Sequence, residues 1–163
     1  MTLQDTLSYL ALWSAIGWAL FSAYVVVMFR SGLVYTARNE DGTLKDQVPP
    51  SGQLNMLALL VAIVGFQVAA NYLGIASKGY GISFLSLFLL NLTHYLILFA
   101  YDTVFIDGFV LAVWRPAFLQ IPEAMGGESM TRHIVKSLPI GLVAGVALSA
   151  FSTAIAYSLW FGG

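Results

Sequence analysis

Residues 99–109 read FAYDTVFIDGF, placing Asp102 and Asp107 five positions apart inside a long apolar run. Whether those carboxylates lie in a bilayer or at its edge decides how much function the chain can carry. The composition settles the solvent first. Of 163 residues, 59% are hydrophobic and 9% are charged, whereas an ordinary soluble domain is about a quarter charged. So few charges cannot cover a water-facing surface. Four apolar stretches approach the roughly 20 residues that a bilayer core of about 30 Å demands. The expected fold is therefore all-α, an integral membrane four-helix bundle forming one transmembrane domain over residues 1–163.

Working outward from the acids, the third span is expected at about residues 82–104, with the others at about 8–29, 54–76 and 137–160. Residues 77–81, SKGYG, are a turn, making spans two and three an antiparallel hairpin. Pro49-Pro50 and Gly52 break the stretch after span one. The N-terminus lacks a basic region and a cleavage site, so no removed signal peptide is expected. Basic residues favour the cytoplasmic side of short loops. Arg30, Arg38, Lys45, Arg115, Arg132 and Lys136 share one side, against Lys78 on the other. Residues 30–53 and 105–136 are therefore expected in the cytoplasm, with both termini on the non-cytoplasmic side of a plasma membrane.

Span three then enters near Ile82 and travels inward. At about 1.5 Å per residue, Asn91 lies roughly 14 Å deep, His94 roughly 18 Å and Asp102 roughly 30 Å, at the inner boundary. At 100° per residue, Asp102 returns to the stripe of Asn91 and His94, while Asp107 points about 140° away from Asp102. On a regular helix the two acids are not a pair, whereas a break at Gly108 or elsewhere in the segment would change that geometry. Asp102 is expected to anchor the helix by pairing with Arg115, Arg132 or Lys136, or else to serve a proton or substrate. Asp107 is expected to be an anchor or cap.

His94 is the more unusual residue, because ionisable groups deep in a span are costly and usually face the bundle interior. Gln67 and Asn71 on span two, and Ser149, Ser152 and Thr153 on span four, reach similar depths. Together they define a candidate intramembrane polar site of His94, Asn91, Asp102, Gln67 and Asn71, either a structural polar cluster or a functional cavity. Gly141, Gly145, Ser149 and Thr153 recur every four residues, a small-residue ridge for close helix packing. Internal contact is the reading taken, with a subunit interface as the alternative. Pro139 falls in the first turns of the expected fourth span, where its missing N–H matters least.

Trp114, Arg115 and Pro116 open an interfacial segment between spans three and four, expected to lie along the cytoplasmic surface. Trp18 is deeper and expected to pack. His133, beside Arg132, is expected to face solvent or headgroups. The glycosylation triplet Asn91-Leu92-Thr93 is rejected because it lies mid-membrane. The chain has no cysteine, and no motif for a nucleotide, metal or haem appears, which leaves cofactors unassigned. Scattered basic residues make no nucleic-acid stripe. The expected partners are the lipid bilayer, with further copies of the chain or a larger membrane complex.

Asp102 and Asp107, then Trp114-x-Pro116-x-Phe118, then Ile121-Pro122, resemble a set of small four-span bacterial membrane proteins of unassigned function. In that set Ile-Pro is commonly followed by Gly-Thr-Glu, where this chain has Glu123-Ala124-Met125. The resemblance spans residues 102–125. It implies a bacterial plasma-membrane protein and supplies no activity. The functional expectation is a transport-related protein or an accessory subunit of a membrane complex. The alternative is a membrane enzyme or lipid-handling protein using His94 and Asp102.

Overall fold

The computed structural model describes residues 1–39, 43, 45–123, 125 and 127–162, with residues 127–130 described in their backbone alone. The described residues contain helices and no strand. Helix α1 (Leu3–Arg30) begins with a reciprocal cap. Asp5 N–H donates to Thr2 Oγ1 at 3.1 Å, and Thr2 N–H donates to Asp5 Oδ2 at 2.8 Å, satisfying donors that a helix start leaves open. Gly32, at φ 73°, turns the chain into the single-turn α2 (Val34–Ala37). Helix α3 (Pro50–Gly74) follows, then a 3₁₀ turn over Ala76–Lys78. Helix α4 (Phe84–Ala100) is capped by Ser83 Oγ, which accepts from Ser86 N–H at 3.2 Å. Helix α5 (Gly127–Trp160) completes the chain.

Between α4 and α5 lies the main departure from a regular helix. Residues Tyr101–Trp114 continue the third long helix as a π-helix. Each turn of a π-helix is closed by an i→i+5 bond and is wider than an α turn. The ring ladder Tyr101, Phe105, Phe109 and Trp114, with centroids 5.1, 5.7 and 6.2 Å apart, follows spacings of four, four and five. Arg115 closes the last turn, its N–H donating to Val110 O at 2.8 Å from a left-handed backbone at φ 48°.

Four helical stretches among the described residues are long and apolar enough to cross a membrane: Leu3–Arg30, Pro50–Lys78, Phe84–Trp114 and Thr131–Trp160. The third runs ten residues past the expected end at 104, because the π-helix carries the apolar run on without a break. The fourth is helical well before residue 137, so Pro139 lies inside α5 and not in its first turns. Its missing N–H leaves the Val135 carbonyl without the usual intrahelical donor.

The chain groups into two compact units. The first comprises Met1–Trp18, Leu60–Leu98 and Leu142–Gly163, and the second Ala19–Leu59 and Phe99–Gly141. Tyr9, Ala70, Ile75, Leu87, Leu90 and Ala156 form the apolar core of the first. Val25, Phe29, Ile106, Val110, Leu111, Leu119 and Met125 form that of the second. Leu119 and Met125, in the segment after Trp114, are only 2% and 1% exposed, while Trp114 and Phe118 are exposed. Arg115 fastens this segment by donating to the Pro122 carbonyl, with longer contacts to Ile121 O at 3.5 Å and Glu123 O at 3.4 Å. Trp18 is 38% exposed. The inward stripe of α1 in the first unit is Tyr9, Trp13 and Gly17, four residues apart, with Trp13 against Phe66 at 5.9 Å.

The small-residue ridge packs within the chain. In the first unit, a Cβ on Gly145 would overlap the Tyr95 ring, and Ser149 and Thr153 are fully buried. In the second, a Cβ on Gly141 would overlap the Phe99 ring. Gly145→Leu should therefore lower the melting temperature in detergent, with an overpacking cost of about 1–3 kcal/mol. An unchanged melting curve would show that Tyr95 yields freely.

Candidate functional site

In the second unit, charged side chains from three segments meet. The return after α1 is held by Lys45 N–H donating to Ala37 O at 3.1 Å and by Lys45 Nζ donating to Tyr35 O at 2.6 Å. This brings Arg38 back to the helices that follow. Its Nη1 lies 2.8 Å from His133 Nε2 and 3.2 Å from Nδ1, on α5. His133 Nε2 is 3.7 Å from Asp107 Oδ2, and the two side chains are only 10% and 15% exposed. Arg38 also faces Asp102 and Asp107 electrostatically, and those carboxylates act on each other. Tyr24, on α1, feels the same guanidinium.

Chemistry constrains the protonation of this cluster. A guanidinium can only donate, so His133 meets Arg38 through an unprotonated nitrogen. A protonated ring would set two cations face to face, and would turn to Asp107 instead. The imidazole thus stands between a group that favours its neutral form and one that favours its cationic form.

The cluster corrects several expectations. Asp102 and Asp107 are not independent, because the phase argument assumed 100° per residue and the segment from Tyr101 is π-helical. An i,i+5 pair lies on neighbouring turns there. The cation facing Asp102 is Arg38, not the expected Arg115, Arg132 or Lys136. Arg115 is instead engaged with the loop carbonyls. His133 does not simply face solvent. Arg38 was missed because nothing local in the sequence shows that the chain doubles back after Gly32. Among the described residues no three His, Asp or Glu side chains are grouped as metal ligands.

The first unit holds a second, neutral cluster. Gln67, Asn71, Asn91, His94, Ser149, Ser152 and Thr153 are all buried. Gln67 Nε2 donates to the Asn91 carbonyl at 2.9 Å, and Asn91 Nδ2 donates to Thr153 Oγ1 at 2.9 Å. Thr153 Oγ1 donates to Ser149 O at 2.7 Å. Tyr9, which sequence reading did not include, donates its hydroxyl to Asn71 Oδ1 at 2.9 Å. The His94 ring is flanked by Phe66 at 5.5 Å and Tyr9 at 6.4 Å. Four of the five expected site residues are brought together here. Asp102 belongs to the second unit, with its own partners.

The bonds from the Gln67 amide to the Asn91 carbonyl and from the Asn91 amide to the Thr153 hydroxyl explain how α3, α4 and α5 register within this unit, since polar side chains in an apolar span are satisfied across helices. Asn91 is completely buried. No family model matches the chain, and no curated protein or solved structure matches it either.

Proposed function

We propose that this is a multi-spanning plasma-membrane protein with a transport-related role, in which Asp102, Asp107, Arg38 and His133 form a proton-exchange site. One observation carries the reading: His133 Nε2 lies 2.8 Å from Arg38 Nη1 and 3.7 Å from Asp107 Oδ2, within reach of both a guanidinium and a carboxylate. Two carboxylates, one guanidinium and one neutral imidazole leave a single negative charge, which one proton cancels. In a low-dielectric setting that balance matters, because like charges on neighbouring groups oppose joint ionisation. Ionisable residues inside apolar spans mark substrate or proton routes by default. The accessory-subunit reading supplies no reason for an imidazole between opposite charges.

The test is proton flux into proteoliposomes under an imposed potassium diffusion potential. Wild-type protein should carry protons, and His133→Gln, which keeps a hydrogen-bonding side chain but cannot titrate, should slow the flux strongly. Wild-type flux equal to that of empty vesicles would overturn the proposal.

The basic residues orient the chain with the segments after spans one and three in the cytoplasm and both termini outside. Single cysteines placed at Thr43 and Ser77 should then react oppositely with an impermeant thiol reagent on intact cells. Labelling at position 77 alone is expected. Labelling at position 43 would invert the topology.

A further inference from the structure

The neutral cluster of the first unit uses only one end of each amide to join helices. Tyr9 occupies Asn71 Oδ1, Gln67 spends its NH₂ on the Asn91 carbonyl, and Asn91 spends its NH₂ on Thr153. What remains is unusual. Asn71 Nδ2, Gln67 Oε1, Asn91 Oδ1, Ser149 Oγ and both ring nitrogens of His94 are buried without a hydrogen-bond partner among the described residues. The Trp13 backbone also interacts with the His94 ring. Buried polar groups in folded proteins are nearly always paired.

The leftover atoms state what would complete them. Two amide oxygens can only accept, and so call for two donors. The Asn71 amide can only donate, and so calls for an acceptor. His94 in its neutral form offers one of each. No formal charge stands by to balance a charged guest: in this unit Lys78 is exposed, and Asp5 is engaged by Thr2 at the start of α1. The Phe66 and Tyr9 rings pack against the imidazole, one tilted by 50° and the other edge-on at 74°, and so fix its position.

We propose that the first unit binds a small uncharged molecule whose carbonyl is flanked by N–H donors, of the amide or urea type, through Gln67, Asn71, Asn91 and His94. The carbonyl accepts from Asn71 and from the imidazole N–H. The N–H groups donate to Gln67 Oε1 and Asn91 Oδ1. No bond is made or broken. The site stands apart from the proton-exchange reading, because neither aspartate takes part in it.

The experiment uses the full chain in lipid nanodiscs, with ¹⁵N-labelled side-chain amides and imidazoles followed by NMR. Acetamide is titrated as the probe, and N,N-dimethylacetamide as its control, which keeps the carbonyl and loses both N–H donors. Acetamide should produce saturable shifts at Gln67, Asn71, Asn91 and His94, and the control should not. His94→Phe should weaken the acetamide response by about tenfold, the scale of one lost hydrogen bond. Gln67→Leu provides a second reading should His94→Phe fold poorly. Asp102→Asn should leave the response intact. Equal responses to the two amides, an absence of saturable shifts, or amide groups exchanging with water that acetamide does not displace would each overturn the proposal.

Discussion

Replacing Arg38 by methionine should cost the protein about 1.5–3 kcal/mol of stability, the scale of removing a charged hydrogen-bonding partner from partly buried groups. Arg38 faces Asp102, Asp107 and His133 together, so its loss leaves two carboxylates without their shared cation. Arg38→Lys should fall between, since an ammonium keeps the charge but not the planar donor fork. The mechanism has a signature beyond a lower melting temperature. Adding Asp102→Asn to Arg38→Met should recover part of the loss, because the stranded charge is then gone and the two changes are coupled rather than additive. Thermal melting in one mild detergent, with all four members of the cycle side by side, measures this. Additive losses would mean that Arg38 stabilises the second unit by packing alone.

The second large effect is on proton movement. A regular helix would set the acids on different faces, and Asp107→Asn would then be nearly silent beside Asp102→Asn. The π-helix changes that expectation. Both carboxylates act on each other and on Arg38, so each replacement alone should reduce proteoliposome proton flux on the order of a hundredfold, the scale of losing a positioned acid–base group. Amide replacements keep shape and most hydrogen bonding, so helicity by circular dichroism should be unchanged. Normal flux in Asp107→Asn with a defect confined to Asp102→Asn would return the site to a single carboxylate.

Comparing sequence with structure locates where local rules cease to work. Apolar run length and turn chemistry were enough for four long helices, because both depend on neighbours within one turn or one loop. The 100° periodicity brought Asn91 to the depth and face of His94, and Gln67 and Asn71 to the opposing helix, because α3 and α4 are regular there. The same arithmetic failed from Tyr101 onward, where the turn widens and i+5 replaces i+4 as the neighbour. Nothing in FAYDTVFIDGF announces that change, and only beyond it does the aromatic spacing of Tyr101, Phe105, Phe109 and Trp114 drift from four to five. The fold of the return after α1 was also illegible. Arg38 reaches His133 across 95 residues of sequence, and only the chain reversal at Gly32 makes that contact available.

These two failures fall on the proposed site itself. Asp102 and Asp107 become neighbours through the irregular helix, and Arg38 reaches them through the irregular return. Departures from regular helix geometry are often found at functional positions, which fits a cluster of ionisable groups placed where the helix is least ideal.

The central claim is that Asp102, Asp107 and His133 share and exchange one proton beside the fixed charge of Arg38, and infrared difference spectroscopy on the reconstituted protein reads that proton directly. A step from alkaline to acidic pH should raise a carbonyl-stretch band of a protonated carboxyl group. That band should be missing in both Asp102→Asn and Asp107→Asn, and displaced in His133→Gln, because one proton is held by the pair and felt by the imidazole. A band that survives in both aspartate variants, or that ignores the change at His133, would contradict a shared proton and leave the cluster a structural ion pair.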